Sequence, residues 1–482
     1  MTRSGQSRFA VEALLCGTVF LLAAALALTP FDSHDLWWHL RSGSWIWQHG
    51  HPARENLFSF TAPHAQWVTH EWLSEALFYW FYNTLGQGTL VALKAILVGA
   101  TFALVFLNAR LMGGSSWLAA LATLIAVYAS RFTFDIRPQL FTYLFLALCL
   151  FLVNRQREQG GRCYVYIPLF VLWANLHSGF IAGLGLLALA AITTPKRARF
   201  FGGALLLSGV SVLLTPNTWR GVWFPLAISR TRLFMDNLTE WFSPNFHSSW
   251  LFGFEVLLLV SIAILTLSPR RPRLLDIGLF LAFAHLALQN QRHVTLFAIA
   301  VAPMLAQHAT ALLNSLFEEW RLPPAWERAT ALATLLCAAI LLGRAIPWRD
   351  GFAIQTGLSR FPSGAAVYLR YHPAKRMYNS YCWGGYLIWE LYPAGRVFID
   401  GRADAYPEQI FRDYLAVERL QPGWQSILQR YGIDTVVYTR GSALCAALRV
   451  EPGWKLVYAD AVAEIYRRAP ARQLDSSSLR GI

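Results

Sequence analysis

Three side chains of one short segment, Asp35, Trp38 and His39, could carry out acid–base chemistry. They stand three and four residues apart, so a helix would bring them to one face. A carboxylate and an imidazole held against indole rings suit a general base, because partial desolvation and a fixed partner tune the carboxylate. The same spacing also fits an interfacial helix that Asp32 or Ser33 caps and whose tryptophans anchor it at a membrane surface. The spacing leaves both interpretations open.

Two further segments carry polar side chains that could contact a substrate. Glu71 and His70 supply a second carboxylate and a second imidazole, although Glu71 and Glu75 could equally form a solvated helix face. Asn175 and His177 lie where a very short turn joins two apolar segments, so their side chains need polar partners or a wet cavity. They could bind sugar hydroxyls or a phosphate, and they could equally hydrogen-bond the backbone of the turn.

Arg137, Arg292 and His293 could hold a phosphate. Arg137 precedes Pro138 at the start of an apolar segment, and a guanidinium binds a phosphate through two parallel N–H groups, which Lys cannot do. The alternative for Arg137 is an anchor that reaches the membrane surface. Arg292 and His293 share another tight turn. A basic cup for a leaving phosphate could also include Arg220, Arg230 and Arg232.

The composition excludes an ordinary soluble enzyme. Of the 482 residues, 55% are hydrophobic and only 14% are charged, whereas a soluble chain is about a quarter charged. Apolar segments close to the length of a membrane-crossing helix occur at residues 9–29, 88–107, 115–130, 138–153, 163–176, 179–194, 200–215, 250–267, 274–288, 294–313 and 329–345. We therefore predict a mostly α-helical, polytopic transmembrane bundle of about 11 spans. Lys94, Glu255, Asp276 and His285 lie in or at the ends of these spans, where ionisable groups are candidates for function.

The distribution of Lys and Arg predicts the orientation. With the N-terminus inside, the inner segments carry 14 basic residues and the longer outer segments carry 8, as the positive-inside rule requires. An odd number of spans then places the C-terminal part outside. The formal net charge of +14 follows largely from these inner connectors, so it does not indicate nucleic-acid binding. The polar and aromatic clusters fall on the outer side, which predicts a site at the outer membrane surface.

The sequence predicts three regions. Residues 1–345 form the transmembrane domain, in which residues 30–87 are a first outside loop with amphipathic helices. Residues 346–468 form an extracytoplasmic α/β domain, with strands at 377–381, 396–400, 434–438, 455–460 and 463–466, and residues 469–482 are a disordered tail. Asp400 and Arg402 are expected to form a structural ion pair there. Cys382 and Cys445 could pair only in an oxidising compartment.

The order of several motifs resembles the bacterial GT-C class of membrane glycosyltransferases over nearly the whole chain. The motifs are DLWWHL at 35–40, GSWI at 43–46, HGHP at 49–52, FSFT at 58–61, WVTHEWL at 67–73, Arg137-Pro138, WANLHSG at 173–179, NSYCWGGY at 379–386, VFIDGR at 397–402 and Asp404-Ala-Tyr406.

This resemblance implies an inverting transfer of a sugar from a polyprenyl-phosphate-linked donor to a glycan, lipid or protein acceptor. The enzyme would lie in the bacterial inner membrane, with its site facing outside, and would bind no nucleic acid. Asp35 matches the expected general base. The other assigned roles are assistance by Glu71 and His39, donor-phosphate binding by Arg137, Arg292 and His293, and substrate binding by His70, Asn175, His177 and Trp38.

The chain departs from related loops at Ser33, where a second acid separated from the first by one residue is common. Asp32 stands one place earlier, and a shift of one residue turns a helical side chain by about 100°. No metal ligand is therefore assigned, and a divalent metal cofactor remains open. Two other classes also remain open: a transporter or flippase for a lipid-linked or sugar substrate, and a non-catalytic component of an envelope glycan assembly complex.

Overall fold

The computed structural model describes residues 3–29, 33–228, 231–317, 323–346 and 360–469, with the side chains of residues 3–8 and 324 left out. Asp32, Arg230 and the predicted tail from residue 470 lie outside these residues. The contacts between residues divide the chain into two compact units. Unit 1 comprises Met1–Ser33 and Thr69–Ile354, and unit 2 comprises His34–Val68 and Gln355–Ile482. The predicted domain boundary at residue 345 stays a prediction; the structure groups residues 34–68 with the C-terminal part.

In its described residues, unit 1 consists of helices that are joined by turns and loops. Its helices are α1 (Arg3–Ala27), with α3 (Trp72–Leu85), α4 (Gly88–Leu111), α5 (Ser116–Ser130), α6 (Gln139–Gln159), α7 (Tyr166–Leu176), α8 (Phe180–Thr193), α9 (Ala198–Ser211), α10 (Thr218–Ile228), α11 (Arg232–Met235), α12 (Phe252–Leu267), α13 (Leu274–Gln289), α14 (Val294–Leu316) and α15 (Pro324–Ala345). Helix α2 (Leu36–His49) belongs to unit 2. Long side chains such as Leu206 and Ile340 are exposed on these helices, as expected where lipid replaces water.

All eleven predicted apolar segments are helical, which confirms a polytopic helical bundle. By length and composition, seven helices of the described residues can cross a membrane. They are Phe9–Ala27, Gly88–Leu111, Ser116–Thr133, Gln139–Gln159, Ser249–Leu267, Gln291–Leu316 and Ala325–Ala345. The helices Phe180–Thr193 and Pro195–Ser211 form a pair bent by 111° that would make an eighth span, while Cys163–Leu176 and Leu274–Gln289 are shorter. A count of eleven spans stays a prediction.

Hydrogen bonds identify the two ends of the unit 1 bundle. At the end that we call the Glu71 end, Ser74 Oγ donates to the carbonyl of Leu176 (2.6 Å) and Lys94 donates to Thr29 Oγ1 (2.9 Å). At the other end, which we call the Arg157 end, Asn154 donates to Asn108 Oδ1 (3.1 Å), and the backbone N–H of Ser115 donates to Thr310 Oγ1 (2.8 Å). The polar turns singled out in the sequence before α6 and between α7 and α8 lie at the Glu71 end.

Unit 2 combines α2 with a small mixed sheet and short helices. These are α16 (Ser363–Tyr371), α17 (Gly384–Leu391), α18 (Glu408–Glu418), α19 (Trp424–Arg430) and α20 (Ala443–Val450), with β1 (Met377–Asn379), β2 (Thr435–Thr439), β3 (Trp454–Ala459) and β4 (Ala463–Arg468). The order is β1-β2-β4-β3: β1 runs parallel to β2, and β4 runs antiparallel to β2 and β3. The ring of Trp37 on α2 contacts Tyr386 and Trp389 of α17.

The strand predicted at 396–400 is wrong. This segment forms only an isolated parallel bridge, between Ser59 and Val397. The backbone N–H of Val397 donates to the carbonyl of Phe58, and that of Phe398 donates to the side chain of Asn379. The segment is therefore held by residues 58–60 and by one amide side chain, and its hydrogen bonds do not continue into a ladder.

Candidate active site

Glu71 lies between two imidazoles at the Glu71 end of unit 1. The residue immediately precedes α3, and its Oε1 lies 3.4 Å from Nε2 of His70 and 3.3 Å from Nε2 of His177. All three side chains are largely buried. The imidazole of His70 stacks on the ring of Phe224, with 4.2 Å between centroids. The structure thus brings together three residues that the sequence assigned to a site from two distant segments.

The neighbours of His177 fix its protonation pattern. The backbone N–H of Gly179 donates to Nδ1 of His177 (3.0 Å), so this nitrogen accepts and the proton of the neutral ring lies on Nε2. Thr142 Oγ1 lies 2.7 Å from the same Nδ1 and accepts from Nε1 of Trp173 (2.8 Å), which directs its own proton to His177. The hydrogen bonds therefore run from Trp173 through Thr142 to His177, whose Nε2 lies 3.3 Å from Glu71.

Gly179 is required for this arrangement because it leaves room for the ring. A Cβ on residue 179 would lie 2.2 Å from Thr142 Oγ1 and 2.9 Å from Nδ1 of His177. Its backbone angles are ordinary for any residue. The close approach of the chain to the hydroxyl, and not an unusual conformation, explains the glycine in the WANLHSG motif.

Asn175 joins three segments. Its amide nitrogen donates to the carbonyls of Val171 (2.8 Å) and Leu214 (2.9 Å), and its Oδ1 accepts from Nε1 of Trp72 (2.8 Å). Both amide hydrogens are thus engaged by backbone oxygens, as in the alternative that the sequence left open. A role of Asn175 in substrate binding stays a prediction.

Arg137 and Arg292 converge on one carboxylate, that of Glu240. Nη1 of Arg137 lies 2.6 Å from Oε2 of Glu240, and Nη1 of Arg292 lies 3.3 Å from Oε1. Arg137 also donates through Nε to Ser33 Oγ (3.2 Å), and Arg292 lies over the ring of Trp241 at 4.6 Å. The turns that precede α6 and α14 therefore present two guanidinium groups to the same carboxylate.

Burial and two neighbouring arginines act in opposite directions on the pKa of Glu240. Burial raises the pKa of its carboxyl, but the charges of Arg292 and Arg137 outweigh burial and hold the pKa below its ordinary value of 4.5. The charge of Glu71 acts on Glu240 in the opposite direction and raises the pKa. Glu71 and the arginine pair thus belong to one electrostatic neighbourhood, in which two guanidinium groups share the carboxylate of Glu240.

The other predicted phosphate ligands make different contacts. His293 precedes α14, and its Nδ1 lies 3.4 Å from the carbonyl of Leu286. Arg220 extends over the ring of Trp219 at 5.8 Å, and Arg232 begins α11. Arg230 lies outside the described residues. Phosphate binding by His293 stays a prediction.

Sequence reasoning assigned no role to Glu240 or Thr142. Glu240 lies in a Thr-Glu-Trp segment of a predicted outer loop, and the arginines of the outer loops were a signal that a carboxylate would accompany them. Thr142 lies inside an apolar segment, where one hydroxyl gives no signal. Its role follows only from the approach of α7 to α6.

Asp35 belongs to unit 2, where it occupies the N-cap position of α2. Its side chain makes no capping hydrogen bond to α2, and its Oδ1 accepts from Nε1 of Trp38 (3.2 Å). A Cβ on residue 401 would lie 2.2 Å from Oδ1 of Asp35, so Gly401 allows the chain to pass directly beside the carboxylate. Trp38 also contacts His39, with 3.6 Å between ring centroids. Trp38 therefore links the three residues whose spacing first suggested chemistry.

A buried ion pair supports this face of unit 2, as the sequence predicted. Arg402 is fully buried, and its Nε and Nη2 donate to the two oxygens of Asp400 at 2.7 Å each. Its guanidinium lies between the rings of Phe58 (4.8 Å) and Trp67 (4.5 Å). Trp67 in turn contacts Trp38 edge to face. The ion pair therefore helps to position the indole beside Asp35.

The described residues contain no group of three or more His, Cys, Asp or Glu side chains arranged to hold a metal ion. Asp35 accepts a hydrogen bond from an indole, and Glu71 is flanked by two imidazoles. These environments do not fit a paired-acid metal site, so no step is assigned to a metal. Cys382 and Cys445 are both free.

Comparison with known proteins identifies the fold. No protein-family model matches the sequence, and no curated protein matches it by sequence. Solved structures do match:

the oligosaccharyltransferase AglB from Archaeoglobus fulgidus, in complex with an inhibitory peptide and a dolichol-phosphate, is 12% identical over 94% of this chain and 74% of its own, with a TM-score of 0.51. The arabinofuranosyltransferase AftD from Mycobacteria is 15% identical over 98% of this chain, with a TM-score of 0.52, and the match spans 42% of AftD. ArnT from Cupriavidus metallidurans bound to undecaprenyl phosphate is 13% identical, with 98% and 99% of the two chains covered and a TM-score of 0.46. Over nearly its whole length, this chain has the fold of the GT-C class of membrane glycosyltransferases.

Proposed function

We propose that the protein is a membrane glycosyltransferase that moves a sugar from a polyprenyl-phosphate-linked donor to a glycan, lipid or protein acceptor. The observation that carries this proposal is the convergence of Arg137 and Arg292 on Glu240. Two guanidinium groups presented by different helices suit a phosphate, which Arg binds in a bidentate manner. The dolichol-phosphate in the AglB structure supports the same class of donor.

The reaction would be an inverting displacement at the anomeric carbon. The acceptor oxygen forms a bond to that carbon while the bond between carbon and phosphate oxygen breaks, and the electron pair leaves with the polyprenyl phosphate. Asp35 takes the proton of the acceptor hydroxyl. Arg137 and Arg292 stabilise the charge that develops on the phosphate, which is where preorganised cations contribute most to a rate, and His293 helps to bind the phosphate.

The other site residues have supporting roles in this proposal. His39 and Glu71 assist the transfer of the proton, and His70, Asn175, His177 and Trp38 bind the substrates. His177 acts on Glu71 through its Nε2, which lies 3.3 Å from the carboxylate. Glu240 keeps the two arginines close together before the donor binds, because without an anion their charges repel each other.

The orientation proposed from the sequence completes this function. The N-terminus lies inside, eleven helices cross the bacterial inner membrane, and the site and the C-terminal α/β region face outside. Two arginine-rich connectors on the proposed inner side, at residues 155–162 and 270–273, agree with the positive-inside rule.

The test replaces Asp35 with Asn in the full-length protein. The sugar is first identified by mass spectrometry of lipid-linked sugars and surface glycans in a deletion strain, and transfer from a synthetic polyprenyl-phosphate-linked form of it is then measured. We expect Asp35→Asn to lose about 100-fold or more of the rate, the usual contribution of a general base, at equal protein in the membrane. Glu55→Gln is the matched control, because Glu55 is a half-exposed carboxylate of the same unit that pairs with exposed His64.

Two outcomes would overturn parts of the proposal. Full activity of Asp35→Asn would refute the assignment of the base. Uptake of a lipid-linked sugar by vesicles that contain the purified wild-type protein, with no new glycan product, would refute the transferase and favour a transporter.

A further inference from the structure

A second cationic cluster lies at the Arg157 end of unit 1, away from the Glu71 end. Arg157 occupies the last turn of α6. Its Nε and Nη1 are shielded from solvent, and among the described residues neither atom has a hydrogen-bond acceptor. The sequence predicted a solvated basic connector here, and the structure contradicts that for Arg157.

Asp276, an acid that acts electrostatically on Arg157, is already paired with Arg273. Arg273 and Asp276 both act electrostatically on Arg157. Arg273 binds the two carboxylate oxygens of Asp276 through Nε (2.7 Å) and Nη2 (2.9 Å), and Asp276 is 3% exposed. Glu158, which also acts electrostatically on Arg157, is exposed to solvent. Because Arg273 occupies both oxygens of Asp276, Nε and Nη1 of Arg157 remain without an acceptor among the described residues.

His308 also has a buried ring nitrogen without a hydrogen-bond partner among the described residues. Its Nδ1 lies 3.0 Å from Ser268 Oγ, whereas its Nε2 is buried and has no hydrogen-bond partner in the described part of the chain. The charges of Asp276, Arg270 and Arg273 act on His308 as well. Arg157 and His308 thus share their charged neighbours, and the cluster has more cations than carboxylates.

Unmet donors on a charged side chain are costly. A guanidinium stays protonated in proteins, and a buried donor without an acceptor costs about 1–3 kcal/mol, more when it is charged. The carbonyl ends of α6 favour a cation at this position, but they do not supply an acceptor in the plane of the guanidinium. A phosphate would supply an acceptor to Nε or to Nη1 of Arg157.

The surroundings indicate that this anion belongs to a lipid. α6 is long and apolar enough to cross the membrane, so its last turn lies at the depth of the headgroups. Leu274, which follows Arg273, is 68% exposed. An apolar side chain exposed beside a cationic cluster fits a surface that contacts acyl chains below a headgroup.

We propose that Arg157 binds the phosphate of an anionic phospholipid at the Arg157 end of unit 1, in a site flanked by Arg273 and His308. This site is separate from the proposed glycosyl-transfer site and does not depend on it. Its occupant supplies the acceptor that the described residues lack. The excess of positive charge selects anionic over zwitterionic headgroups.

Native mass spectrometry of the delipidated full-length protein tests this proposal, with phosphatidylglycerol as the probe. We expect Arg157→Gln to weaken the binding of the lipid about tenfold or more, the effect of losing a charged hydrogen bond. Arg157→Lys should weaken binding less, because it keeps the charge but loses the planar pair of donors. Arg155→Gln is the matched control: Arg155 lies two residues earlier, is exposed and bonds Gln159 through Nε (3.3 Å).

Three results would overturn the proposal. Equal weakening by Arg155→Gln and Arg157→Gln would indicate a diffuse surface charge. Equal binding of phosphatidylcholine and phosphatidylglycerol to the wild type would refute selection of an anionic lipid. Displacement of the lipid by millimolar inorganic phosphate would assign the site to a free anion.

A second measurement does not need a stable Arg157 variant. A cryo-EM map of the wild-type protein in nanodiscs that contain phosphatidylglycerol should show headgroup density within hydrogen-bond distance of Nε or Nη1 of Arg157. Water alone at these atoms would refute the site.

Discussion

Nε2 of His177 lies 3.3 Å from Oε1 of Glu71. Because Nδ1 of the same ring accepts from Gly179, the neutral imidazole cannot also act as a base toward Glu71. His177 is therefore a positioning residue for the carboxylate. The orientation of Glu71 depends on Thr142 and Trp173, neither of which contacts Glu71 in this chain of hydrogen bonds.

Replacing Thr142 with Val should disturb this chain. The variant removes the hydroxyl that Trp173 and His177 share, and we expect kcat for sugar transfer to fall about fivefold, the equivalent of one hydrogen bond of about 1 kcal/mol, with little change in KM. Thr142→Ser should restore the rate, because it keeps the hydroxyl. Thr123→Val is the control, since buried Thr123 bonds only the carbonyl of Ala119 in its own helix. An equal loss in both Val variants would contradict a specific role of Thr142.

Gly179→Ala should destabilise the protein through steric overlap. The new methyl group would lie 2.2 Å from Thr142 Oγ1, and overpacking of this kind costs about 1–3 kcal/mol. Gly185→Ala in the same helix is the control, because a Cβ there meets no atom within 4 Å and Ala favours a helix by about 1 kcal/mol over Gly. Thermal unfolding in detergent should show a lower Tm for Gly179→Ala and an equal or higher Tm for Gly185→Ala. A Gly179→Ala protein as stable as the wild type would refute the close contact.

The stabilisation from Glu240 should depend on pH. Its pKa is held below the ordinary value of 4.5 by Arg292 and Arg137, against the effect of burial. The ionised form is thus favoured in the folded state, so its contribution is complete above pH 4.5 and is lost as the pH falls through the lower, folded-state pKa. We expect the Tm difference between the wild type and Glu240→Gln to be constant from neutral pH to about pH 5 and to shrink below it.

Glu408→Gln serves as the comparison for Glu240→Gln, because Glu408 pairs with Arg412 on an exposed surface. Its Tm should differ little from that of the wild type at any pH, since exposed pairs contribute about 0–1 kcal/mol. A Tm difference for Glu240→Gln that grows on acidification would have the wrong sign for a carboxyl with a lowered pKa.

Arg402→Met should weaken unit 2 strongly. The variant leaves Asp400 buried without its cation, which costs about 3–5 kcal/mol, while the double variant Asp400→Asn with Arg402→Met should recover part of the loss. Arg412→Met, which breaks an exposed pair, is the control. Urea-induced unfolding of the full-length protein, followed by proteolysis within residues 360–469, measures the effect. Equal resistance of Arg402→Met and wild type would show that the pair contributes nothing net.

The sequence predicted the helices well and their long-range partners poorly. The apolar segment at 88–107 corresponds to Gly88–Leu111, because its length and composition are local properties. Glu240 was not assigned to Arg137 because 103 positions separate them, and no local pattern records such a pair. The segment 396–400 resembles a strand in composition, but its partners are Phe58 and Asn379, which only the folded chain reveals.

The discontinuity of unit 2 has a consequence for the time order of folding. The side chain of Asn56 donates to the carbonyl of Ala405 across 349 positions, and Trp37, 5% exposed in the folded protein, packs on rings from α17. Ribosomes make residues 34–68 long before these partners exist, at about 5–20 residues per second. For tens of seconds this tryptophan-rich segment exists without its folding partners. During that interval the bilayer surface or a chaperone must cover its apolar side chains.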